Sequence, residues 1–172
     1  RVLFYFAGHG IADPSESGRP EGYILPSDAM NRNQDGNRWL AMSKLNQALE
    51  ALPCKHFLLV LDCCFSGAFP WASNKRSNIS LPKKIYKQHF DRFVKEPAWQ
   101  VLTSSSYDQE AFDGLNDLGT ARNQSNQKNS PFALLFMDAL RGEADFKPND
   151  QPDGDGLITV NEMYMYIRDK LE

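Results

Sequence analysis

The chain has 172 residues, the length of one ordinary domain, and 41% of them are hydrophobic, enough for a core that needs no staples. Its 19 Lys+Arg against 22 Asp+Glu give a formal net charge of −3, which offers no basic face for nucleic acid. No apolar run reaches the roughly 18–20 residues that span a bilayer, so neither nucleic acid nor membrane is expected as a partner.

Arg1 is followed at once by Val2-Leu3-Phe4-Tyr5-Phe6, and the run Val2 to Ala7 reads as a buried strand. A chain opening inside a strand is expected to be a fragment of a longer polypeptide, which leaves a targeting segment open. Gly8-His9-Gly10 closes this strand. Tyr23-Ile24-Leu25, stopped by Pro26, is a weaker strand. Leu45, Ala48, Leu49 and Leu52 recur at helical spacing, with Ser43 as the expected N-cap and Pro53 as the stop. Phe57 to Leu61 is a second continuous apolar strand. It ends in Asp62-Cys63-Cys64-Phe65-Ser66-Gly67.

The stretch Pro70 to Pro82 lacks periodicity and reads as a loop. Trp99 to Thr103 is the third buried strand. Asp113 to Asn129, rich in Asn, Gln, Gly and Ser, is a second long loop. A helix is expected from Pro131 to Arg141, capped by Ser130 and ended by Gly142, with Phe132, Leu135, Phe136, Ala139 and Leu140 as its stripe. A last helix follows Thr159, which makes a T-x-x-E capping box with Glu162. Continuous apolar strands separated by helices give an α/β layered fold with a mostly parallel sheet.

The three cysteines are Cys54, Cys63 and Cys64. An odd count with two adjacent is a poor disulfide framework, and adjacent cysteines pair only under strain. Their spacing lacks the CxxC pairs of a zinc site. Free thiols fit a reducing compartment, so a cytoplasmic location is expected.

Two strand ends carry the chemistry. Ligands of open α/β sheets bind outside the carboxyl ends of strands, so two ends can join His9 and a Cys 55 positions later. A thiol needs a base beside it to attack at neutral pH, and an imidazole also protonates a leaving amine. Gly10 leaves room for a backbone N–H to approach a reacting carbonyl. With the N–H of the nucleophilic Cys it would form an oxyanion hole.

Phe4-Tyr5-Phe6-Ala7-Gly8-His9-Gly10 resembles the histidine motif of the caspase-like cysteine peptidases. Asp62-Cys63-Cys64-Phe65-Ser66-Gly67 resembles the D-x-C-x-S-G nucleophile motif of their metacaspase and prokaryotic branches. The spacing of His and Cys also fits that family. The resemblance implies a caspase–hemoglobinase fold, a mostly parallel sheet sandwiched between helices. It implies further strands before Val2, a large-subunit-like part over 1–112, and a linker loop with small-subunit-like helices over 113–172.

It also implies peptide-bond hydrolysis through a thioester, with His9 as general base and acid and Cys64 as nucleophile. The Gly10 and Cys64 N–H groups would hold the oxyanion. Asp62, two residues before Cys64, would floor the first specificity pocket and select Arg or Lys. Ser104, Asp108 and Gln109, in the segment after the third strand, would line it. The expected partners are protein or peptide substrates with a basic residue before the cut, and regulatory sensor or repeat domains in the same or another chain. The setting would be regulated proteolysis in cell death or defence. An alternative is a catalytically inactive scaffold of the same fold.

Lys75-Arg76, Lys83-Lys84, Arg122 and Lys128 would then be self-cleavage candidates. The chemistry needs no cofactor, and calcium is an expected activator only. Asp153, Asp155 and Glu162 fall at positions 3, 5 and 12 of an EF-hand-like loop. Position 1 is Gln151, where a carboxylate is usual, and a tight Asp/Gly turn is the competing reading. Asp28 is a further calcium candidate.

Overall fold

The computed structural model describes residues 1–13, 21–29, 38–64, 69, 94–105, 129–146 and 154–171. The chain divides into two compact units. Arg1–Arg76 with Ala98–Ala111 form the first, and Ser77–Pro97 with Phe112–Glu172 the second.

The first unit holds two three-stranded sheets. β1 (Val2–Ala7), β5 (His56–Asp62) and β6 (Ala98–Thr103) pair in parallel, with β5 central. β2 (His9–Asp13), β3 (Glu21–Leu25) and β4 (Leu40–Ala41) form an antiparallel ribbon. The parallel pairing expected from continuous apolar runs is therefore present. Only β5 is buried along most of its length. β1 is an outer strand among the described residues, and Val2, Leu3 and Tyr5 are exposed, Leu3 by 53%. The expectation that β1 is buried on both faces is corrected accordingly.

Residues on one face of the parallel sheet alternate into the core. Phe57, Leu59, Leu61 and Cys63 of the β5 strip pack with Ile24, Met42, Leu45, Leu49 and Phe69. Phe4, Phe6, Trp99 and Val101 border this cluster. The Trp99 ring lies 5.6 Å from that of Phe57, and its indole N–H donates to the Cys54 carbonyl at 3.2 Å.

α1 (Met42–Glu50) lies on this core through Met42, Leu45 and Leu49. The stripe is rotated from the sequence reading: Ala48 is exposed, and Leu52 falls beyond the helix end. The cap differs too. Ser43 is inside the helix, and Ala41, at the N-cap position, supplies no side-chain bond. Instead the carboxylate of Glu21 in β3 accepts the Ser43 amide at 3.1 Å. An acidic group there satisfies an orphan N–H and meets the positive end of the helix dipole. Glu21→Ala is expected to cost about 1 kcal/mol. In thermal unfolding that should read as a midpoint lowered by roughly 2–4 °C, with Ser43→Ala nearer to neutral.

The second unit contains α2 (Pro131–Asp138), which continues as a wider π turn over Ala139–Glu143, and α3 (Val160–Leu171). Ser130 Oγ accepts the Ala133 amide at 3.0 Å, and Pro131 takes the first helical position, both as expected. α2 buries Phe132 and Phe136, and α3 buries Met163 and Ile167. α2 and α3 contact one another. No helix among the described residues is long and apolar enough to cross a membrane. The expected loops over 70–82 and 113–129 lie outside the described residues, Asn129 excepted.

Candidate active site

His9 does not end β1, as the sequence suggested; it opens β2. The parallel ladder stops at the Ala7–Asp62 pair, and the Gly8 amide still donates to the Asp62 carbonyl at 3.2 Å. The chain then leaves for the antiparallel ribbon at His9, whose side chain is exposed. Thus the imidazole sits at the fork between two sheets.

Gly10 brings this fork onto the nucleophile segment. A Cβ at Gly10 would collide with the Cys64 carbonyl oxygen and come within 3.3 Å of both the Cys64 carbonyl carbon and Cys63 Sγ. No side chain larger than hydrogen fits that approach without moving backbone. Gly10 therefore packs on the peptide unit that carries Cys64, and His9 is its immediate neighbour. The structure places Gly10 of the histidine motif against Cys63 and Cys64 of the second motif.

The two adjacent cysteines have different environments. Cys63 continues the inward alternation of β5, is 1% exposed and belongs to the core. Burial pushes its thiol up to about 12, helped by nearby Cys64 and Asp62. Such a thiol stays protonated and behaves as a small hydrophobe. Cys64 is half-buried, two residues past the end of the strand.

Neighbouring strands clamp this segment on both sides. The Gly8 amide binds the Asp62 carbonyl, and the Ser104 amide binds the Leu61 carbonyl at 3.0 Å. The buried Ser105 hydroxyl donates to the Cys63 carbonyl at 3.0 Å. Sequence reading missed Ser105, because nothing in a Ser-Ser-Ser run distinguishes which hydroxyl turns inward.

The opposite face of the sheet carries a polar row at its carboxyl end. Asp62 ends β5 and is 6% exposed. Ala7 is its partner on β1, and Ser104 lies one residue beyond the Leu61–Thr103 pair on the other side. Ser104 Oγ is buried with no hydrogen-bond partner among the described residues. Tyr5 Oη donates to Asp62 Oδ2 at 3.2 Å. Tyr5 was not foreseen, although strand parity holds the signal: it lies two residues before Ala7 and so on the same face. Asp108 and Gln109 lie outside the described residues.

The Asp/Gly stretch belongs to the second unit, and Asp153 is outside the described residues. Glu162 is buried. Its Oε2 accepts the Thr159 amide at 2.7 Å and the Thr159 hydroxyl at 2.8 Å, and its Oε1 accepts the Phe146 amide at 3.3 Å. The Glu162 amide completes the capping box on Thr159 Oγ1 at 3.2 Å. Asp145 spans the loop, with its two oxygens on the amides of Asp155 and Gly156 at 3.1 and 2.9 Å. Asp155 Oδ1 accepts the Leu157 amide at 2.9 Å. Gly154 and Gly156 take left-handed φ values of 69° and 77°, which the tight wrap around Asp145 requires.

These oxygens accept amides and a hydroxyl, the bonding of a capped turn entering a helix, while Gln151 and Asp153 of the calcium reading lie outside the described residues. Among the described residues no group of three His, Cys, Asp or Glu is placed to hold a metal ion. Asp28, the other calcium candidate, pairs with Arg38 at 3.0 Å on an exposed surface.

A family model described as the caspase domain matches residues 1–172. No curated protein and no solved structure gives a significant match to the chain.

Proposed function

The chain belongs to the caspase domain family of cysteine peptidases, and from that premise we propose that it hydrolyses peptide bonds after Arg or Lys through a Cys64–His9 dyad. The observation that carries this reading is the packing of Gly10 on the Cys64 peptide unit, which joins two motifs 55 positions apart. The basic preference is that of the metacaspase-like branch.

In this reading His9 takes the Cys64 proton as the sulfur attacks the scissile carbonyl. The Gly10 and Cys64 amides receive the developing oxyanion. The intermediate collapses to a thioester as His9 returns the proton to the leaving amine. A water, deprotonated by His9, then hydrolyses the thioester and frees Cys64. The clamp on Leu61, Asp62 and Cys63 supports such chemistry by fixing the nucleophile before substrate arrives. No step passes through a metal.

Asp62 supplies the negative charge for a basic substrate side chain, and it is flanked by small Ala7 and by Ser104, whose buried hydroxyl has no partner among the described residues. A buried hydroxyl without a partner is costly, and a substrate donor or acceptor would relieve it. Protein and peptide substrates are the partners this implies, and a reducing compartment such as the cytoplasm would keep Cys64 as a thiol.

The test is cleavage of peptide reporters ending in Arg, Lys, Leu or Asp. Arg and Lys reporters should be cut and the other two spared. Asp62→Ala is expected to lower kcat/KM for the basic reporters by about 100-fold, the cost of leaving a buried cation unpaired. Undiminished cleavage after Arg in that variant would sink the pocket assignment.

A further inference from the structure

We propose that Tyr5 is a positioning residue for substrate selection, holding the Asp62 carboxylate in register and biasing the site toward Arg over Lys. This rests on the assignment of Asp62 to the specificity pocket.

The geometry is specific. Asp62 is nearly buried at the end of the central strand. Tyr5 reaches it diagonally from the outer strand, two residues before the Ala7 that pairs with Asp62. The phenol donates to Oδ2 at 3.2 Å, while Tyr5 as a residue remains 38% exposed. Tyr5 thus joins the buried carboxylate to the solvent side of the sheet.

Three physical consequences follow from this placement. A carboxylate rotates about a soft terminal torsion, and a rigid phenol on one oxygen fixes that torsion. Burial first, then the charge and hydrogen bond of Asp62, raise the Tyr5 phenol above its ordinary value, so it remains a donor throughout any working pH range. A hydroxyl that donates also has acceptor lone pairs. The carboxylate and phenol oxygens are therefore adjacent acceptors, held at a fixed separation by two paired strands.

A guanidinium is a planar fork of donors and gains from such a fixed pair. An ammonium is a compact point charge and depends mainly on the carboxylate. Removing the phenol oxygen should hence weaken Arg substrates more than Lys substrates. It should act on binding and leave the Cys64 chemistry alone.

The experiment compares Tyr5→Phe and Asp62→Ala with the unaltered full chain, using Arg- and Lys-ended reporters. For Tyr5→Phe we expect KM for the Arg reporter to rise about 10-fold, with kcat changed by less than about two-fold. The Arg-to-Lys ratio of kcat/KM should fall by about three-fold or more. Alkylation of Cys64 by iodoacetamide, mapped by mass spectrometry, should keep its rate, and the thermal midpoint should stay within a few degrees.

A merely structural role would lower kcat, alkylation rate or melting point together and leave the Arg-to-Lys ratio unmoved; that pattern overturns the proposal. If Asp62→Ala loses basic cleavage while Tyr5→Phe keeps both KM and the ratio, Tyr5 has no selective role and the pocket stands. If Asp62→Ala cleaves after Arg normally, the pocket and the role of Tyr5 fall together.

Discussion

Cys64→Ala is expected to abolish peptide hydrolysis, with a loss of at least about ten-thousand-fold in kcat, whereas Cys63→Ala should stay within about ten-fold of the unaltered chain. The contrast follows from the strand end. Cys63 points into the core among Phe57, Leu59 and Leu61, and burial holds its thiol protonated. Cys64 lies two residues past the strand, is half-buried and is not part of that core cluster. Truncating Cys63 removes a small apolar group and costs about 1 kcal/mol of packing, which thermal unfolding will detect without a comparable loss of turnover. If Cys63→Ala is the dead variant, the nucleophile has been assigned to the wrong sulfur.

The Cys63 thiol also sets a pH dependence of stability. Its ordinary value is 9.0, and in the folded chain it is pushed up to about 12. Between those values the folded state keeps a proton that the unfolded state has lost. Stability from this group is therefore complete below about pH 9 and declines as pH rises toward 12. Urea midpoints of the unaltered chain should fall across that window, and those of Cys63→Ala should fall less.

Gly10→Ala should nearly eliminate activity for a different reason. The added methyl meets the Cys64 carbonyl oxygen, a backbone atom with no rotamer to move away by. Either the ribbon strand or the nucleophile segment must shift, and the segment is tied by the Gly8, Ser104 and Ser105 bonds. A displacement near 1 Å at a catalytic pair costs about 100-fold in rate, so kcat/KM should fall by at least that much. Gly8→Ala is the control. Its Cβ would meet the tip of the Phe6 ring at 2.8 Å, a side chain that can swing. Activity in Gly8→Ala matching the loss in Gly10→Ala would show that the Cys64 contact is not what makes Gly10 necessary.

Particular residues show what was legible in advance. The three parallel strands were, because uninterrupted apolar runs such as Phe57 to Leu61 have few other ways to be buried, whereas β2 and β4 of the ribbon carry no such run. So were the local caps at Ser130 and Thr159, whose partners lie three residues away. Long-range partners were not. Glu21 caps a helix 22 positions downstream, and Tyr5 meets Asp62 across 57. Both need the strand register, which depends on pairing across the whole first unit. The rotation of α1 was misread because Met42 precedes the expected cap, and a cap supplied by another strand lets the helix begin earlier. The exposure of β1 was misread because composition reports how apolar a strand is and says nothing of what covers it. In the candidate site, the motifs gave His9 and Cys64, while Ser105 needed the fold.

The parallel pairing of β1 with β5 joins residues 55 positions apart, from Val2 with Phe57 to Ala7 with Asp62. Closing a loop of that length is entropically demanding, and contacts of high sequence separation form slowly. A chain still emerging from the ribosome, or one collapsed without this register, contains both an imidazole and a thiol but holds them apart. Under the proposed dyad, competence to cut therefore waits on this long-range pairing rather than on any local element. For a chain with that proposed activity, dependence on so distant a pairing is a form of restraint that no inhibitor has to supply.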